Sequence, residues 1–185
     1  MNTETKVCDG RELLALARAA MARRFGVDQP APPITDTLRQ PGATFVTLTQ
    51  NGQLRGCIGS LEAWRPLAED VCENAVNAAF RDPRFAPLDV TELARTRVEV
   101  SLLTPAEPMS FTNEADALAQ LRPDIDGLIF DCAGRRSTFL PQVWDQLPEP
   151  GLFMGHLKQK AGFSADFWSP DVKLWRYGVR KWKEV

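Results

Sequence analysis

The stretch Thr44-Phe45-Val46-Thr47-Leu48-Thr49-Gln50-Asn51-Gly52-Gln53-Leu54-Arg55-Gly56-Cys57-Ile58-Gly59 decides how the rest of the chain is read. Ala43 to Thr49 is rich in β-branched and aromatic residues, and Asn51-Gly52 supplies the two positive-φ positions of a type I′ turn. A hairpin therefore closes onto Gln53 to Ile58. A two-residue loop sets Thr49 opposite Leu54, Leu48 opposite Arg55, Thr47 opposite Gly56 and Val46 opposite Cys57, with Arg55 and Cys57 on one face. Gly56 and Gly59 leave the second strand bare at two points, where a ligand or another backbone can approach closely.

Working outward toward the N-terminus, Asp9 and Glu12 form a capping-box pattern, and Leu13, Leu16, Ala17, Ala20, Met21 and Phe25 recur at helical spacing up to Gly26. The proline-rich stretch from Gln29 to Pro33 cannot extend that helix, because proline lacks the donor and fixes φ. On the other side, Pro66 suits a first helical position. Leu67, Val71, Ala75 and Ala78 then line a helix to about Phe80, which the turn Asp82-Pro83-Arg84-Phe85 ends. Val98, Val100 and Leu102 alternate with Glu99, Ser101 and Leu103, so this segment reads as a strand with one apolar and one mixed face.

Further on, Asn113 caps a short helix through Leu121. A second hairpin, Gly127 to Asp131 and Arg136 to Leu140, turns at Ala133-Gly134. Helical pieces follow at Pro141 to Leu147 and Pro150 to Ala161, and Val172 to Tyr177 reads as the last strand. Strands come in hairpin pairs and not in strict β-α-β alternation. The expected class is α+β, with a largely antiparallel sheet flanked by helices.

The 185 residues carry four cysteines, Cys8, Cys57, Cys72 and Cys132, with no C-x-x-C pair, and a single histidine, His156. That spacing matches neither a zinc site nor a secreted disulfide framework, so no metal and no cofactor is expected. Met1 to Arg11 lacks an apolar core of the kind a signal peptide needs, and no run approaches a membrane span. The reading is a cytoplasmic protein without membrane association. Net charge is −2, but the segment from His156 to Lys183 has seven Lys/Arg against Asp166 and Asp171, giving +5 there and −7 elsewhere. This asymmetry suits either an anion-binding face or an ordinary solvated surface. Nucleic-acid binding is a weaker reading, since no aromatic-basic module is recognisable.

Candidate chemistry centres on Cys57. Arg55, two residues earlier, has the reach to favour a thiolate, which would make Cys57 a nucleophile; the competing reading is a small buried hydrophobe opposite Val46. A thiol nucleophile ordinarily needs a base, and His156 is the one histidine that could serve, although a lone histidine on a half-apolar helix is more often structural. Glu99 on its strand is expected either to face water or to pair with Arg55 or Arg84. The Asp82-Pro83-Arg84-Phe85 turn either presents Arg84 to an anionic ligand or simply stops the helix, anchored by Phe85. Phe139 to Trp144 reads as a strand end and a core-packed helix start.

Together, Gly42-Ala43-Thr44-Phe45-Val46-Thr47-Leu48, Leu54-Arg55-Gly56-Cys57-Ile58-Gly59 and Ala78-Ala79-Phe80-Arg81-Asp82-Pro83-Arg84-Phe85 resemble the AMMECR domain family. Val98-Glu99-Val100-Ser101, Leu103-Thr104-Pro105, Gly127-Leu128, Phe139-Leu140-Pro141-Gln142-Val143-Trp144 and Lys160-Ala161-Gly162 fit the same pattern in the same order. The six-residue Arg-Gly-Cys segment is that family's signature. The resemblance implies one AMMECR-like domain over residues 9–183, two-lobed, after a tail of residues 1–8. It also implies kinship with protein A of the AmmeMemoRadiSam system, hence Memo-like and radical-SAM proteins as partners, and a cleft at Arg55, Gly56, Cys57, Gly59, Asp82 and Arg84. No reaction comes with it. Two functions compete: a cysteine-dependent enzyme or enzyme subunit, with Cys57, Arg55 and Glu99 as its catalytic set, and a binding or accessory module for a partner protein or a small anion.

Overall fold

The computed structural model describes residues 9–185. Expectations for the tail of residues 1–8, Cys8 included, lie outside the described residues. The chain divides into two compact units, one holding residues up to Leu103 together with Arg180–Val185, the other Thr104–Val179.

In the first unit, helix α1 (Gly10–Arg23) starts where the Asp9 carboxylate accepts the Arg11 N–H, satisfying a donor that the first helical turn leaves free. A single turn, α2 (Asp36–Arg39), is capped by Thr35 and was not expected from the sequence. Strands β1 (Thr44–Gln50) and β2 (Gln53–Gly59) form the anticipated hairpin. Asn51 and Gly52 take φ of 51° and 77°, the two positive values a type I′ turn needs. Helix α3 (Leu67–Phe80) follows, with Pro66 just before its first turn instead of within it. Strand β3 (Arg97–Leu103) then pairs antiparallel with β1.

The expected last strand is not the last. After β7 (Lys173–Tyr177) the chain makes a further strand, β8 (Val179–Lys183), which completes the first sheet in the order β2-β1-β3-β8. Its local pattern is basic and only partly apolar, so what holds it is tertiary. The Trp182 ring fills the space that any side chain at Gly10 would need, and the Glu184 carboxylate accepts from Arg18 and from the Val98 N–H. Helices α1 and α3 cover one face of this sheet. Leu13, Leu16, Met21, Val71 and Ala75 pack there against Val46, Leu48, Val98 and Val100, all essentially inaccessible to solvent.

The second unit has its own four-stranded sheet, ordered β4-β7-β5-β6, where β4 is Glu107–Pro108, β5 is Gly127–Cys132 and β6 is Arg135–Phe139. Ala133 and Gly134, at φ of 50° and 75°, make the second type I′ hairpin. Helices α4 (Glu114–Gln120), capped by Asn113, and α5 (Pro150–Lys160) supply the rest of its core. Trp144 is buried as expected. It stacks on Phe153 at 3.8 Å between centroids and donates its indole N–H to the Asp126 carbonyl at 2.7 Å. With five α-helices and two antiparallel four-stranded sheets among the described residues, the protein is α+β.

Candidate functional site

Strand β2 is an edge strand, and its register departs from simple hairpin pairing. Thr49 sits opposite Leu54, but Leu48 sits opposite Gly56, so Arg55 is an extra residue bulged out of the ladder. Beyond the bulge every pair shifts by one. Cys57 therefore faces Thr47 and not Val46, and its Sγ lies 3.3 Å from the Thr47 hydroxyl. The one mark of the bulge in the sequence was Gly56 beside it, since a glycine inside a strand fits a bulge as well as a close backbone approach.

The shift assigns each side chain to a face. Gly56 and Ile58 lie opposite the buried Leu48 and Val46, on the helix side. A Cβ on Gly56 would stand 2.1 Å from the Ala78 carbonyl oxygen, so the backbone that approaches this glycine is that of α3. On the other face a Cβ on Gly59 would stand 2.2 Å from the Phe45 ring, which occupies that space. Both glycines accommodate parts of the protein itself. Cys57 is half-buried on the helix-free face, with Thr47 beside it and Glu99 next across β3. Lys181 on β8 extends the row, its ammonium 4.0 Å from the Glu99 carboxylate.

The two arginines do not serve Glu99. Arg55 donates through Nε and Nη2 to the two carboxylate oxygens of Glu92, at 3.1 and 3.0 Å, and its guanidinium lies 6.0 Å from the Phe85 ring. That two-point contact, with a further hydrogen bond from the Asp89 N–H, holds Glu92 at a pKa of about 2. Glu92 belongs to a short 3-10 turn, Val90–Glu92, closed by a capping box with Asp89. Asp89-x-x-Glu92 was the sequence signal for that box, although it does not disclose the partner.

Arg84 pairs with Asp82 instead, through Nε at 3.0 Å and Nη2 at 2.6 Å. Asp82 is almost fully buried, and this guanidinium holds its carboxyl far below the usual range, assisted by the Cys57 and Arg84 N–H groups. The Asp82 carboxylate accepts the Cys57 N–H at 2.8 Å, while Arg84 Nη2 reaches the Cys57 carbonyl at 3.4 Å. The turn thus satisfies both backbone groups that Cys57 presents at the sheet edge. The arginine remains half exposed beyond that contact.

Beyond the end of β2, Asp70 is fully buried and accepts from the Thr44 N–H and hydroxyl, Ser60 Oγ, Arg65 Nε and Asn74 Nδ2. This network fixes where the strand leaves the sheet. The histidine is exposed on α5 of the second unit. Among the described residues, no group of three or more His, Cys, Asp or Glu is placed to hold a metal ion, and no helix is long and apolar enough to cross a membrane.

The fold is α+β in two units, the first of which carries an Arg-Gly-Cys segment on its edge strand. The AMMECR1 family model matches residues 14–182, and the chain belongs to the AMMECR1 family. A protein of Methanothermobacter thermautotrophicus is 37% identical over 185 residues, covering 95% of this chain and 94% of that one. Protein MK0488 of Methanopyrus kandleri is 33% identical over 187 residues, covering 95% and 88%. The crystal structure of uncharacterized protein PH0010 from Pyrococcus horikoshii is similar with a TM-score of 0.75 at 30% identity, covering 93% of this chain and 89% of that one.

Proposed function

We propose that this protein is a recognition module that binds a partner protein through the helix-free face of its first sheet. The carrying observation is the state of the two arginines. A thiol enzyme at Cys57 would draw on Arg55 or Arg84 to stabilise its thiolate, yet each is engaged by a carboxylate of its own, Glu92 and Asp82. What the face does offer is a row of a thiol, a hydroxyl, a carboxylate and an ammonium from Cys57, Thr47, Glu99 and Lys181. The half-exposed Arg84 stands at its edge. Such alternating donors and acceptors on rigid strands suit hydrogen-bonded recognition more than proton transfer.

The partner in this reading is the Memo-like or radical-SAM protein that the family resemblance implies, and the chain is the non-catalytic member of that set. Co-expression with each candidate from one host, followed by affinity capture, tests it. Glu99→Lys and Lys181→Glu, both at half-exposed positions of the row, are expected to abolish co-purification while leaving the melting temperature within a few degrees. Wild-type protein that captures neither candidate overturns the partner assignment.

A thiol-dependent activity is the second reading, favoured by the 3.3 Å contact between the Cys57 Sγ and the Thr47 hydroxyl, with Glu99 the next residue across the sheet. Alkylation of Cys57 at pH 7 distinguishes the two. A rate well above that of an unfolded-peptide thiol, lowered by Glu99→Gln, supports the thiol reading; a peptide-like rate supports recognition alone.

A further inference from the structure

The first unit has a concave feature set among its helices, made of α1, α3 and the proline-rich segment between α1 and α2. It is a cavity of about 600 Å³, within the range of small-molecule sites, roughly 300–1,000 Å³. Leu16 and Ala20 of α1, Ala31 and Ile34 of the crossing segment, and Ala68 and Cys72 of α3 form its walls. Small side chains on both helices leave this space open, and Pro32 holds the crossing segment in a shape that cannot join either helix.

Its charged lining is unequal. Arg23, Arg39 and Glu69 line it, two cations to one anion. Arg23 ends α1, has no carboxylate within ion-pair distance among the described residues, and projects a field that acts on the Cys72 thiol. Arg39 touches Asp36 only at 4.0 Å, with both side chains largely exposed, and spends one N–H on the Ile34 carbonyl. Both guanidiniums therefore keep donors for an incoming anion. Burial raises the Cys72 thiol pKa despite Arg23, and its Sγ contacts the Leu16 carbonyl at 3.7 Å.

We infer that this cavity binds a medium-chain aliphatic carboxylate, with the hydrocarbon between α1 and α3 and the carboxylate on Arg23 and Arg39. The head-group assignment follows from the two available guanidiniums. The aliphatic chain follows from the lining between the helices, where Leu16, Ala20, Ala31, Ile34 and Ala68 present apolar side chains. This site shares no residue with the Cys57 face, so the two assignments stand or fall separately.

The test uses the full chain and hexanoate, octanoate and decanoate, each below its micelle concentration, followed by calorimetry. Affinity is expected to rise on the order of tenfold with each added pair of methylenes, at ~0.8 kcal/mol per methylene. Decanol and decylammonium should bind at least about tenfold more weakly than decanoate. Arg23→Gln and Arg39→Gln, both surface changes that spare the core, should each weaken decanoate by about tenfold. Iodoacetamide labelling resolved by peptide mass mapping supplies an independent readout: saturating decanoate should slow modification of Cys72 severalfold and leave Cys57 unchanged. Decylammonium binding as tightly as decanoate, unchanged affinity in both arginine variants, or an undiminished Cys72 rate at saturation each overturns the assignment.

Discussion

The carboxylate of Asp82 accepts the backbone N–H of Cys57 across 25 residues of sequence, at 2.8 Å, and so closes the free edge of the Arg55-Gly56-Cys57 strand. The same carboxylate holds Arg84, whose other end reaches the Cys57 carbonyl. Replacing Asp82 by alanine leaves a strand N–H without its acceptor and releases Arg84. We expect a loss of about 1–3 kcal/mol in urea unfolding, with faster amide hydrogen exchange at Cys57 than elsewhere in β2. Unchanged exchange at Cys57 would show that the turn does not protect the edge.

Gly56 meets the Ala78 carbonyl so closely that a single methyl cannot be fitted without moving α3. Gly56→Ala should cost about 3 kcal/mol or more. Gly52→Ala in the turn has open space but a φ of +77°, and should cost less, about 1–2 kcal/mol. Chemical denaturation of both variants decides the order, and the reverse order would contradict the backbone contact.

Glu92 titrates in the folded protein at about 2, against an ordinary value of 4.5, mainly because Arg55 binds its charged form. A depressed carboxylate pKa contributes stability that is fully present above 4.5 and is lost as pH falls toward 2. Unfolding free energy measured over that window should therefore fall less steeply in Glu92→Gln than in the wild type. Parallel acid limbs in the two proteins would remove Glu92 from the account.

In the second unit Lys158 is buried, with its ammonium 2.6 Å from Glu114 and 2.8 Å from the Phe167 carbonyl. Removing the anion strands a charge in the core, whereas removing the charge does not. Glu114→Ala should therefore destabilise by about 3 kcal/mol and Lys158→Met by less than about 1.5 kcal/mol. Equilibrium unfolding in urea followed by circular dichroism gives the comparison; a greater loss in Lys158→Met would mean that the ion pair itself stabilises the unit.

Much of the local structure was legible in the sequence because its causes are local. Asn51-Gly52 and Ala133-Gly134 turn where they do because those residues reach positive φ, and Val98 and Val100 are buried because period-two alternation leaves them one apolar face. The Arg55-Gly56-Cys57 strand was legible as a strand for the same reason. Its register was not. The bulge at Arg55 arises because Gly56 must lie under Ala78 while Arg55 reaches Glu92, and both partners come from later in the chain. That displacement gave Cys57 its contact with Thr47, and the pairing of each arginine with its own carboxylate left Glu99 to Lys181. The return of β8 to the first sheet was equally hidden, since Trp182 and Glu184 acquire their roles only where Gly10, Arg18 and Val98 meet them. Backbone propensity and alternation act over a few residues and can be read in order; ion pairing and close packing join residues that only the folded chain brings together.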